Sequence, residues 1–219
     1  MASEPRIDVL REARKDLKFL LNRGYRKSSA LKLVGDRYQL NKAERSILFR
    51  SVLSDKEAVI IRSKRIDAEK LRGREVLIDG FNVLNTVEAM LRGETLILCD
   101  DGVLRDFSEV HSKYKLSGLT EPALTEVLSF LKKLEVARAE LLYESQISRS
   151  GEIAGLTRRM MKAFGIEGDA RTIRTVDSIL SRSQKIVATS DSAILLKCKH
   201  FIDIPQSLEP AKTAKIIRL

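Results

Sequence analysis

Apolar positions recur at helical spacing from the start of the chain. Ile7, Leu10, Ala13, Leu17, Leu20 and Leu21 share one face over residues 5–23, and Gly24 follows as a helix stop. Leu31, Val34 and Tyr38 mark a second helix. Asn41 with Glu44 three residues later is a capping-box signature, and it opens a third helix carrying Ile47, Leu48 and Val52. Ser54 with Glu57 repeats the signature for a fourth helix with Ala58, Val59 and Ile61. The pattern predicts a small helical bundle in the first third of the chain. A very polar connector, Arg62 to Arg74, puts a boundary near residue 72 and divides the chain into 1–72 and 73–219.

The period then changes. Val76, Leu77 and Ile78 are a short apolar run of β-formers that ends in Asp79, as a buried parallel strand does. A helix over 83–92 stops at Gly93, and Thr95–Cys99 reads as a second strand. Asp100-Asp101-Gly102 between apolar residues is a hairpin-turn signal. Pro122 to Val136 is a helix with Thr120 as its cap. Strand Ala139–Tyr143, helix Gly151–Phe164 and an edge-type strand Ala170–Val176 follow. A short helix from Asp177, strand Lys185–Thr189, a helix around Ile194–Leu196 and an edge strand Phe201–Ile204 complete the order. Alternating strands and helices imply an α/β fold with a mostly parallel, Rossmann-like sheet flanked by helices, behind a small basic all-α unit.

Charge is distributed unevenly. Residues 1–74 hold 20 Lys+Arg and 10 Asp+Glu, whereas the other 145 residues hold 20 of each. The whole net charge of +10 therefore belongs to the front third, which points to a polyanion such as RNA. Arg23, Arg26, Lys27, Lys32, Arg37 and Arg45 are its candidate RNA contacts, and Tyr25 or Tyr38 is placed to stack on a base. No apolar run reaches the roughly 18 residues of a membrane span, so no membrane partner is expected, and the location expected is cytoplasmic. The absence of a Walker-type glycine loop argues against a nucleotide cofactor. Cys99 and Cys198 are isolated, and His111 and His200 are expected at the surface or in packing. A homo-oligomer is left open.

The chemistry lies in the acids. Asp79, Asp177 and Asp191 each fall just after a predicted strand, and Asp100, Asp101, Glu144 and Glu152 are further candidates. Parallel strands with right-handed crossovers bring such acids to one edge of the sheet, where ligands bind. Two like charges about 4 Å apart repel by roughly 4 kcal/mol at an effective dielectric near 20. A cluster therefore calls for protons or a divalent cation, and all-oxygen donors favour Mg²⁺ or Mn²⁺. Such an ion activates water and stabilises charge on a phosphodiester. Asp79 has a second reading, as the cap of the following helix. Ser148 and Ser150 precede a helix N-terminus and suit either a substrate phosphate or plain capping.

Ile78-Asp79-Gly80-Phe81-Asn82 resembles the DGxN signature of the NYN branch of the PIN-like nuclease superfamily. Further on, Val176-Asp177 and then Ala188-Thr189-Ser190-Asp191 resemble that superfamily's closing pattern. The resemblance covers residues 75 to about 204 and implies metal ligands at Asp79, Asp177 and Asp191, with Asn82 beside them. The middle acid of the set is open between Asp100, Asp101, Glu144 and Glu152. The whole chain is also similar to a group of archaeal proteins with a basic helical front and a PIN-like domain. The implied activity is a metal-dependent endoribonuclease, RNA being preferred because the resemblance is to RNA-cutting families. The alternative is an RNA-binding or assembly protein with a degenerate PIN-like domain. A protein-interaction module is the third class.

Overall fold

The computed structural model describes residues 5–106 and 117–219 of the 219-residue chain. His111 lies outside the described residues. Four helices open the fold: α1 (Ile7–Asn22), α2 (Lys27–Arg37), α3 (Lys42–Ser51) and α4 (Asp55–Lys64). Both capping boxes form. The Asn41 side chain accepts from the Glu44 amide at 2.9 Å, and the Ser54 hydroxyl accepts from the Glu57 amide at 3.3 Å. Leu10, Leu17, Val34 and Leu48 fill the bundle core, and Tyr38 packs at its edge.

The remaining elements are β1 (Glu75–Asp79), α5 (Gly80–Leu91), β2 (Leu96–Leu98), β3 (Leu104–Asp106), α6 (Thr120–Lys133), β4 (Arg138–Glu144), α7 (Ser150–Phe164) and β5 (Gly168–Ile173). Then come α8 (Val176–Arg182), β6 (Ile186–Ala188), α9 (Ser192–Leu195), β7 (His200–Ile202), α10 (Ile204–Ser207) and β8 (Ile216–Ile217). Five strands form one parallel sheet in the order β5-β4-β1-β6-β7. Strand order reverses about β1, which is where open α/β sheets leave a crevice at their C-terminal edge. The α/β expectation therefore holds, with β5 and β7 as edges.

Alternation along β1 separates the two layers. Val76 and Ile78 face α5, α6 and α7, packing with Leu84, Leu128 and Ile153. Leu77 faces the other way and packs with Ala58 and Ile61 of α4, Leu180 of α8 and Leu195 of α9. The fourth front helix thus covers one face of the sheet, while Val59 on its far side is exposed.

One strand assignment needs correction. The run at Leu96 does not join the parallel sheet. It forms a separate three-stranded sheet in the order β3-β2-β8. β2 and β3 pair antiparallel, so the hairpin turn at Asp100–Gly102 forms, with Gly102 at φ +77°. Ile97 and Cys99 of this hairpin close the core of the front bundle. The strand β8 had no signal beyond Ile216 and Ile217, and a parallel pairing to β2 supplies its stability. Thr120 is the first residue of α6 and not its cap; its hydroxyl donates to the buried Glu88 at 2.9 Å.

Candidate active site

Beyond the C-terminal edge of the parallel sheet lies a cleft of about 550 Å³. Asp79 ends β1, Glu144 ends β4, Asp177 sits in the first turn of α8 after β5, and Asp191 caps α9 after β6. All four line the cleft, together with Asn82 and Ser190. Among the described residues, none of the four has a salt-bridge partner.

The edge is pinned by short polar links. The Thr189 hydroxyl donates to Asp79 Oδ2 at 2.9 Å and accepts from the Asp191 amide at 3.2 Å. Asn82 Oδ1 accepts from the Ser190 amide at 2.7 Å. Both readings of Asp79 are realised: Oδ1 caps α5 by accepting from the Asn82 amide at 3.3 Å, and the carboxyl also borders the cleft. Asp191 likewise caps α9, accepting from the Ala193 amide at 2.7 Å. Gly80 belongs to the same design. A Cβ there would lie 2.2 Å from Tyr143 Cε1, so only glycine lets the helix start this close to β4. The Tyr143 ring is itself fixed edge-on against Phe81, with centroids 5.0 Å apart.

Crowding is written into the proton affinities. Asp79 is only 5% exposed. Burial, then the neighbouring Glu144 charge, pushes its carboxyl up to about 8. Burial followed by Asp177 and Asp191 raises Glu144, and burial followed by Asp191 raises Asp177. These groups sense one another across four separate chain segments.

The opposite wall comes from the front helices and the hairpin. Lys27, Phe49, Arg50, Arg105 and Asp106 line it. Burial, then the Arg105 guanidinium, pulls the Lys27 ammonium down to about 8. Arg50 pairs with Asp106 at 3.1 Å, and Arg105 Nε donates to the Ser190 carbonyl at 2.7 Å, tying hairpin to edge. The cleft is acidic on the sheet side; the other wall carries three cations, of which Arg50 pairs with Asp106 and Arg105 with Asp101.

Several sequence candidates stand elsewhere. Asp100 is held by Arg14 and, at 3.4 Å, by Lys18 of α1. Asp101 is fully buried and chelated by Arg105 at 2.9 and 2.6 Å. Neither lines the cleft, and both carboxylates are already engaged by cations. Glu152 turns to solvent and pairs with Arg149 at 2.7 Å. Ser148 is exposed outside the cleft. Ser150 is buried as the first residue of α7 and caps nothing, since Arg149, at φ +65°, holds the cap position. Glu144 is therefore the middle acid that reaches the edge.

Of the six basic candidates, Lys27 alone lines the cleft. Arg26 borders a neighbouring depression, Arg45 and Lys32 pair with Asp36, Arg37 pairs with Asp16, and Arg23 lies over the Phe19 ring. Sequence inspection placed Arg50 on the basic faces of the front helices and singled out none of Arg105, Asp106 and Phe49. Asp106 had a usable signal: it ends a strand, as Asp79 does.

Among the described residues, no group of three or more His, Cys, Asp or Glu side chains is arranged to hold a metal ion by itself. The donor set still fits a hard divalent cation. The donors are oxygens, they are uncompensated, and Mg²⁺ is commonly held by one or two carboxylates with water and substrate phosphate completing its shell. Among the described residues, no helix is long and apolar enough to cross a membrane.

The model of a domain of unknown function (DUF5616) matches residues 68–207, and that of a protein of unknown function (DUF434) matches residues 9–64. An uncharacterized protein of Methanocaldococcus jannaschii is 37% identical over 197 residues, which span 89% of this chain and 94% of the relative. No solved structure matches the chain.

Proposed function

The chain belongs to the family defined by this domain of unknown function, DUF5616, and we propose that it is a divalent-metal-dependent endoribonuclease of the PIN-like type. One observation carries the reading: four carboxylates from four segments gather at the C-terminal edge of a parallel sheet, without a salt-bridge partner among the described residues.

Asp79, Glu144, Asp177 and Asp191 are the residues that would hold Mg²⁺ or Mn²⁺. When bound, the ion supplies positive charge to the phosphodiester oxygens and makes a bound water more acidic. Thr189 keeps the Asp79 and Asp191 segments in register by bonding to both. Asn82 anchors the Ser190 backbone beside them. Lys27 and Arg50 stand across the cleft, where a backbone phosphate would enter. A substrate phosphate between the two walls meets cations on one side and, once the ion is held, on the other.

A second reading, RNA binding without cleavage, draws on the lack of a preformed metal-holding group among the described residues. Incubation of the full chain with mixed cellular RNA separates the two. Cleavage with Mg²⁺ or Mn²⁺ that stops in EDTA, and falls about a thousandfold in Asp79→Asn and Asp191→Asn, supports the nuclease. Cleavage unchanged in both variants sinks the site. No cleavage with salt-sensitive RNA retention supports the binding protein.

A further inference from the structure

Large apolar side chains standing open to solvent concentrate at the front of this chain. Phe19 and Tyr25 are each 56% exposed and Phe49 is 46% exposed, although an aromatic face in water gains nothing from burial. Two of the three carry a cation over the ring. The Arg23 guanidinium lies 4.4 Å from the Phe19 centroid, and the Lys27 ammonium lies 5.0 Å from that of Phe49.

Phe49 lines the acidic cleft. Tyr25 lines a second depression, also of about 550 Å³, between the α1–α2 turn and α4. Lys27 and Glu57 line both depressions, so the two adjoin. Glu57 spends its carboxylate on Ser54, whose amide and hydroxyl donate to it at 3.0 and 2.7 Å. Glu57 keeps its negative charge, but Lys27, Arg26 and Lys56 outnumber it, so the lining of the second depression is net positive.

We propose that the two depressions form one track for single-stranded RNA, with unpaired bases stacked on Phe49 and Tyr25 and phosphates held by Lys27, Arg26 and Lys56. The track takes its substrate class from the endoribonuclease reading and adds the form of that substrate. An unpaired strand offers both things this surface is built to receive: a repeating anion and a free base face beside it. A duplex offers the anion but keeps its base faces stacked inside. The strand runs from the outer depression past Lys27 to the acidic edge.

Fluorescence anisotropy tests the track. The full chain in EDTA, at low salt, is titrated against a labelled single-stranded oligoribonucleotide and against an RNA duplex of the same length. The single strand should bind at least about tenfold more tightly, and Phe49→Leu and Tyr25→Leu should each weaken it about tenfold while leaving the duplex unchanged. Phe19→Leu, outside both depressions, should change nothing. Equal affinity for strand and duplex, no effect of Phe49→Leu and Tyr25→Leu, or equal displacement of the strand by polyglutamate would overturn the proposal. Both positions are exposed, and an unchanged thermal melt excludes misfolding as the cause. Because EDTA removes turnover, lost cleavage with intact strand binding counts against the nuclease alone, and intact cleavage with no strand preference counts against the track alone.

Discussion

In the β2–β3 hairpin, Asp101 is completely buried, and Arg105 meets its charge through two hydrogen bonds at 2.9 and 2.6 Å. At the end of β1, Asp79 is almost as buried, yet among the described residues it meets the Thr189 hydroxyl, the Asn82 amide and the repulsion of Glu144 and Asp177. The fold thus closes one buried acid with its own guanidinium and leaves the other waiting for a proton or a cation. Burial alone does not mark a functional acid; burial without a compensating charge, at the edge of a cleft, points to one. Arg105 serves both regions, since its Nε also holds the Ser190 carbonyl at the acidic edge.

Breaking the closed pair should produce the largest change. Arg105→Leu strands the buried Asp101 carboxylate and should cost about 3–5 kcal/mol in urea unfolding. A change below about 1 kcal/mol would mean the pair is not the closed unit described. Gly80→Ala attacks the open region through its backbone. The new methyl meets the Tyr143 ring and should cost about 1–3 kcal/mol.

Asp79→Asn should act in the opposite direction. Without metal, at pH 8, it should stabilise the protein by about 2 kcal/mol, because an amide keeps the cap and removes the charge. The pH dependence sharpens the contrast. The folded carboxyl holds its proton to about 8, well above its unfolded value. Unfolded chains therefore ionise first as pH rises, and the wild-type protein should lose stability between about pH 4 and pH 8. The variant should lose less over the same window, as read by thermal melts in EDTA. The smallest effect belongs to the basic wall. Lys27→Met should lower single-stranded RNA affinity several-fold and reduce the salt slope by about 0.7.

Much of the fold was legible because it is local. Asn41 and Ser54 announced their helices through residues three positions away, and Gly93 and Gly165 stopped theirs at φ +70° and +68°. The acids Asp79, Asp177 and Asp191 were visible as residues just past apolar strands, and Glu144 was one of four candidates for the middle acid. What stayed hidden was which acids are compensated. Asp100 and Asp101 look alike in sequence, but Arg14, which neutralises Asp100, lies 86 positions earlier. The apolar face of α4 likewise gave no sign that it would cover the sheet with Leu77 and Val187 and bring the front helices to the cleft.

The most direct test is Mn²⁺ binding to the full chain without RNA, followed by the paramagnetic signal of the free ion. The wild-type protein should bind Mn²⁺ saturably, with affinity rising between about pH 6 and pH 8 as Asp79 gives up its proton. Asp79→Asn should abolish that site, and Lys27→Met should keep it. Binding of equal strength in wild type and Asp79→Asn, or no saturable binding at pH 8, would contradict the account.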